Sequence, residues 1–209
     1  MPSLKILIIL ESPSPRETSL SKRSLSIFKD SSSSGSSKFA SVSSFNISCD
    51  VVRSNNIEDI DIKRYKKVIL SPGPSLPFDY PDIFRFLEKH ADSVPILGVC
   101  LGFQSLVEFF GGSLVNLDNV KHGISSRNII VSSDSLFIDL PEDFQIGHYH
   151  SWVASNDDFP ECLKVTSVNE EDLIMSFSHK ELDIKGVQFH PESILTPLGK
   201  KIINNWVSS

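Results

Sequence analysis

Cysteine is scarce in this chain, with three among 209 residues, at positions 49, 100 and 162. Thiols this few and this scattered supply no disulfide framework, and no Cys-x-x-Cys or His-x-x-x-His spacing offers a metal site. A reducing compartment, the cytoplasm, fits that usage best. Positive charge is also in short supply: 20 Lys and Arg stand against 26 Asp and Glu, a formal charge of -6. No lysine and arginine stripe marks a nucleic-acid surface. No apolar run approaches the length of a membrane span. The opening Met1 to Lys5 passes directly into Ile6-Leu7-Ile8-Ile9-Leu10, where a signal peptide would need a small-residue cleavage site before any fold began. This stretch reads as a first strand.

What is present is a patterned α/β chain, and one domain over 1–209 is the expectation. A chain of this size buries about 70% of its unfolded surface, enough for a full core. Leu4 to Leu10, aliphatic apart from Lys5, suits a central parallel strand near that of Cys100. Glu11 to Arg16 reads as a loop and Leu20 to Lys29 as a weakly patterned helix. The Ser-rich stretch from about 30 to 44 cannot bury enough apolar surface to order itself strongly, and reads as a surface insertion, either a plain linker or a modified or interacting loop. Phe45 to Arg53 and Lys67 to Leu70 follow as strands, then Asp79 to His90 as a helix with Ile83, Phe84, Phe86 and Leu87 on one face. Beyond Gly112, short β-like runs at 113–117, 129–132, 145–152, 163–168, 173–178 and 184–189 predict mainly antiparallel and mixed strands. Asp118-Asn119 and Ser155 to Pro160 supply turns. A closing helix over Pro197 to Val207 has proline near its first turn and turns Ile202, Ile203, Trp206 and Val207 inward.

The chain is organised around Pro95 to Gly112. Ile96, Leu97 and Val99 suit a strand buried on both faces, Leu106, Val107, Phe109 and Phe110 give a helix an apolar face, and Cys100 sits at the corner. Gly98 and Gly102 flank it in the Gly-x-nucleophile-x-Gly spacing of a nucleophile elbow. Such a turn needs conformations and close approaches that a Cβ obstructs. A thiol there faces the positive end of the helix dipole, which favours thiolate. A lone cysteine can equally be a small buried hydrophobe, so the pattern alone leaves both readings open.

Two further stretches bear on the choice. Ser71-Pro72-Gly73-Pro74-Ser75 is a stiffened turn whose rigid amides suit an oxyanion, or simply a turn. The switch-point rule puts it in one crevice with Cys100, at the carboxyl ends of parallel strands. In Gly186-Val187-Gln188-Phe189-His190-Pro191-Glu192-Ser193 an apolar strand ends on a histidine, and a proline-stiffened backbone holds a glutamate two residues on. That is either a base with its orienting acceptor or a strand end with a solvated acid.

These three segments, in this order, closely resemble the class I glutamine amidotransferases along nearly the whole chain. Tyr149-His150-Ser151-Trp152 and Glu192 to Gly199 resemble the small subunits of anthranilate synthase and aminodeoxychorismate synthase, with anthranilate synthase favoured. The resemblance implies a flavodoxin-like open mixed sheet with a largely parallel core and helices on both faces. It implies that Cys100 attacks the glutamine side-chain amide, forming a thioester and releasing ammonia, with His190 as general base and acid, Glu192 orienting it, and the backbone amides of Gly73 and Leu101 holding the oxyanion. Gly73, Pro74, Ser75, Leu101, Gln104, Ser151 and Trp152 would border the glutamine. No cofactor is implied. Ammonia would pass to a chorismate-binding synthase large subunit, docked on the carboxyl edge near Gly73, Tyr149 and Trp152. A free-standing γ-glutamyl hydrolase and a catalytically degenerate partner-binding subunit are the competing readings.

Some positions depart from the family pattern. Glu11 to Arg16 shares almost nothing with the usual Asp-Asn-x-Asp-Ser-Phe loop, a change that bears on partner docking more than on thiol chemistry. Ser75 replaces a usual glycine and Phe103 a usual histidine. His122-Gly123 is followed by Ile124 rather than lysine, so His122 receives no catalytic role. His148 and His150 are expected at a loop or strand edge, and His90 and His179 at the surface.

Overall fold

The computed structural model describes residues 4–10 and 47–209. The loop at 11–16, the helix expected at 20–29 and the Ser-rich stretch lie outside them. Nine strands form one sheet in the order β2-β1-β3-β4-β9-β8-β7-β5-β6. The parallel half comprises β1 (Leu4–Leu10), β2 (Ile47–Arg53), β3 (Lys67–Leu70), β4 (Ile96–Val99) and β9 (Ile184–Val187). The antiparallel half adds β5 (Leu114–Ile130), β6 (Asp143–Ala154), β7 (Leu163–Asn169) and β8 (Ile174–His179).

The continuous apolar runs of β1, β3 and β4 are needed because both faces of the sheet are covered. Alternate side chains divide between two cores. Leu7, Ile9, Val68, Leu70 and Ile96 pack with Ile83, Phe86 and Leu87 of α1 (Pro81–His90) and with Phe103, Leu106 and Val107 of α2 (Leu101–Phe109). On the opposite face Ile6, Ile8, Ile69, Leu97 and Val99 pack with Ile202, Ile203, Trp206 and Val207 of α3 (Gly199–Ser208). The structure is the α/β fold expected, with helices on both faces. Among the described residues no helix is long and apolar enough to cross a membrane.

Several element boundaries differ from expectation. The runs at 113–117 and 129–132 are the two ends of one 17-residue strand, β5. Its middle is polar, and the Asp118-Asn119 turn signal falls in a register shift between Asn116 and Lys121, where 117–120 have no partner on β6, so the turn preference is accommodated as a bulge within the strand. Helix α1 begins at Pro81, after a 3-10 turn at Pro77–Asp79. Helix α3 begins at Gly199 with Leu198 as its N-cap, leaving Pro197 ahead of the helix.

β4 pairs with β3 on one side and with β9 on the other. The carboxyl ends of these three neighbours carry the Ser71 to Ser75 turn, Cys100 and the segment leading to His190.

Candidate active site

Cys100 occupies the corner between β4 and α2 in a left-handed conformation, φ 53° and ψ -102°. Non-glycine residues enter that region at a cost of about 1–3 kcal/mol and do so at functional turns. The corner is held from both sides: Cys100 N–H donates to Val187 O at 2.9 Å, and Gln104 N–H donates to Cys100 O at 3.0 Å. Both flanking glycines are forced by contact. A Cβ on Gly98 would lie 2.5 Å from Gly102 O, and one on Gly102 would lie 2.3 Å from Leu70 O. The helix thus presses against the end of β3, and only 5% of Cys100 is exposed.

The chain leaves the sheet after Val187, two residues before the expected strand end. His190 N–H instead reaches Gly147 O of β6 at 3.1 Å. Thr196 Oγ1 donates to His190 O at 2.7 Å and accepts from Gly147 N–H at 2.9 Å. The Tyr149 ring packs against the imidazole with centroids 5.0 Å apart, and its hydroxyl lies 3.0 Å from Ser193 Oγ. Within this clamp His190 Nδ1 is 2.7 Å from Glu192 Oε1. Nε2, on the other side of the ring, is buried and has no hydrogen-bond partner among the described residues. Burial opposes a charged ring, but the adjoining Cys100 and the Glu192 carboxylate outweigh it and raise the His190 pKa. The imidazole is therefore a strong proton acceptor, with one nitrogen committed to a carboxylate and the ring coupled electrostatically to the adjoining thiol.

The third segment is also stiff. Ser71 N–H donates to Ile9 O, and Tyr80 OH donates to Pro74 O at 2.7 Å. Ser75 has φ 68°, so this serine adopts the backbone that glycine prefers. Gly73 and Pro74 are half-buried, while Leu101 is buried as the first residue of α2. Gln104 is buried, and its Nε2 donates to Trp152 O at 2.8 Å and to Gln188 Oε1 at 3.2 Å. Ser151 and Trp152 are half-buried on β6. Phe103, in the position where the family has a histidine, is wholly buried against Phe177, with ring centroids 5.1 Å apart.

His148 and His150 do lie on the edge strand of the sheet, β6, but buried rather than open to solvent. Both lie within β6, 0% and 6% exposed, on the face of the strand that also carries the buried Phe144 and Ile146. Ser126 Oγ is 2.6 Å from His148 Nε2, and His148 Nδ1 is 2.9 Å from His150 Nε2. Burial, helped by the charges of Lys121 and His190, lowers the His148 pKa to about 4. Burial, with His148 and His190, lowers that of His150 to about 3. His90 and His179 are half-buried rather than at the open surface, each against a phenylalanine ring. His122, given no role above, packs edge-on against Tyr149 at 5.3 Å.

Neutral buried imidazoles make the fold acid-sensitive. Their folded-state values are depressed, so the stability they confer is full above about pH 6.5 and is lost as the pH falls below it, where the unfolded chain takes up protons that the buried rings refuse. The thermal unfolding midpoint is expected to drop between pH 6.5 and about 4, and less steeply in His148→Gln. An equal slope in both proteins would count against this assignment.

A thiol on a strained strand-to-helix corner, beside an imidazole–carboxylate pair at the ends of adjacent parallel strands, is the arrangement of a class I glutamine amidotransferase. The class I glutamine amidotransferase family model matches residues 29–209, and the chain belongs to that family. A Haemophilus influenzae protein provisionally described as anthranilate synthase component II is 45% identical over 78% of this chain and 84% of its own length. Aminodeoxychorismate synthase component 2 of Escherichia coli is 37% identical, over 72% and 80%. Among solved structures, a glutamine amidotransferase from Thermotoga maritima shares the fold with a TM-score of 0.71, 17% identity and full coverage of both chains. A Thermoplasma acidophilum protein described as a GMP synthase subunit reaches 0.78 at 20% identity, covering 100% of this chain and 94% of that one.

Proposed function

We propose that this chain is the glutaminase subunit of a chorismate-using synthase, with anthranilate synthase favoured over aminodeoxychorismate synthase. The carrying observation is the enclosed imidazole of His190, bonded to Glu192 at 2.7 Å and electrostatically coupled to the adjoining elbow cysteine. The names of the relatives support the substrate and the partner.

In this reading Cys100 thiolate adds to the side-chain carbonyl of glutamine, and the backbone N–H groups of Gly73 and Leu101 stabilise the resulting oxyanion. Each such donor is worth about 3 kcal/mol of barrier. His190 then protonates the departing nitrogen, so that ammonia leaves and a glutamyl thioester remains. Water attacks the thioester with His190 as base, releasing glutamate and regenerating the thiol. Glu192 keeps the imidazole oriented throughout. Gly73, Pro74, Ser75, Leu101, Gln104, Ser151 and Trp152 border the glutamine. The chain acts as one amidotransferase domain over 1–209, with an insertion at about 30–44, and delivers ammonia to the chorismate-binding large subunit in the cytoplasm.

The test is labelling by a reactive glutamine analogue, located by mass spectrometry, with glutamine as competitor. Modification confined to Cys100, prevented by glutamine and slowed about a hundredfold in His190→Ala, is the expected result. No labelling, even with a chorismate-binding large subunit and chorismate present, would sink the glutaminase reading and favour a degenerate binding subunit.

A further inference from the structure

Gln188 lies between β9 and His190 and is wholly buried. An uncharged amide buried this deeply is costly unless both its ends are bonded, and here each end meets a specific group. Its Oε1 is 3.2 Å from Gln104 Nε2, and its Nε2 is 3.8 Å from Cys100 Sγ. Oxygen and nitrogen of such an amide are assigned from the surrounding network, and the network leaves one solution. The Trp152 carbonyl, 2.8 Å from the end of the Gln104 side chain, can only accept. The Gln104 end facing it must therefore be the NH₂ group. That NH₂ also faces Gln188, which must present its oxygen there. The Gln188 NH₂ is left pointing at the sulfur.

We propose that Gln188 is the hydrogen-bond donor that stabilises the Cys100 thiolate, with Gln104 as the positioning residue that fixes its amide in the donating orientation. This rests on Cys100 being the nucleophile. A donor directed at sulfur favours the charged form, whereas the flipped amide would set a carbonyl oxygen against it. The interaction complements His190. The imidazole answers the sulfur charge with a charge of its own and must later give its proton away, while the Gln188 N–H remains a donor at every stage. The other titratable groups around the sulfur are few. Glu192 acts through His190, β6 brings His148 and His150, both neutral at physiological pH, and β5 brings Lys121, which is paired to Glu171. The turn at 71–75 contains no titratable side chain.

The discriminating variant is Gln188→Glu, which keeps the shape and the acceptor for Gln104 but replaces the donor at sulfur with a carboxylate oxygen. The readout is the alkylation rate of Cys100 by iodoacetamide as a function of pH, resolved from Cys49 and Cys162 by peptide mass spectrometry. The midpoint of the profile is expected to move to higher pH, with the rate at neutral pH down about tenfold and the high-pH plateau within about twofold of the unsubstituted protein. Gln188→Met should fall between the two. An unshifted profile in a folded Gln188→Glu protein overturns the inference and leaves the glutaminase reading intact. A Cys100 that is unreactive in the unsubstituted protein overturns both. Should the variants fail to fold, ¹⁵N-labelled protein decides. The Gln188 side-chain amide resonance is expected to differ between the unsubstituted chain and Cys100→Ala, and identical resonances would overturn the proposal.

Discussion

Serine in place of Cys100 is expected to abolish glutamine hydrolysis while leaving the fold intact. Loss of a nucleophile that works as a unit with its base typically costs about 10⁴-fold or more in turnover, some 5 kcal/mol of barrier or above. The physical reason is ionisation: a hydroxyl releases its proton far less readily than a thiol, and donors that suffice to hold a thiolate do not suffice to hold an alkoxide. The fold should tolerate the change because serine is nearly isosteric and accepts the positive φ of the corner, as it does in serine elbows. Its oxygen would also accept the N–H that Gln188 directs at the sulfur. The expected outcome is a steady-state rate at background with an unfolding midpoint within about 2 °C of the unsubstituted protein. Retention of more than about a hundredth of the activity would mean that another group carries the chemistry.

Alanine in place of Gly199 should be the most damaging glycine-to-alanine change among the described residues. The added Cβ would lie 1.8 Å from Pro191 O, 2.6 Å from Pro191 C and 2.9 Å from Pro191 Cα, all of them backbone atoms. Helix α3 cannot withdraw, because Ile202 and Trp206 on the same helix are wholly buried. Relief has to come from the turn at Pro191, which separates His190 from Glu192. Overpacking of this kind costs about 1–3 kcal/mol, lowering the unfolding midpoint by roughly 2–10 °C in a chain of this length. Displacement of the base by about 1 Å costs on the order of a hundredfold in rate. Thermal unfolding and glutamine turnover should therefore both fall in Gly199→Ala. Exposed Lys200→Ala, one residue along the same helix, is the control and should change neither. Full activity with an unchanged midpoint would contradict the contact between helix and turn.

This glycine shows where legibility ends. Gly199 was visible in the sequence as part of the stretch after His190-Pro-Glu, yet its obligation comes from an atom of Pro191 that only the folded chain brings near. The elbow was more readable. Gly98 and Gly102 flank Cys100 at a spacing that has one common structural meaning, and the contact that Gly98 permits, with Gly102, lies within that segment, while that of Gly102 is with Leu70 on β3. The runs of β1, β3 and β4 are likewise legible, because a strand centre buried on both faces is apolar. Strand β5 was not, since its polar middle carries no period-2 signal and is held extended only by β6. His148 and His150 continue the buried alternation of Phe144 and Ile146 along one face of β6, a burial that polarity conceals because an imidazole reads as a surface residue.

By itself the sequence determined which chemical groups exist and which stand in rigid local frames. Cys100 is framed by two glycines, His190 and Glu192 by the proline between them, and the 71–75 turn by two prolines, because these constraints are local and steric. The tertiary structure alone decided adjacency. It set β4 between β3 and β9, placed Gln188 against a sulfur 88 residues away in the chain, and buried two histidines behind the site. Local periodicity has no term for such pairings. They follow from which surfaces the whole chain can cover at once.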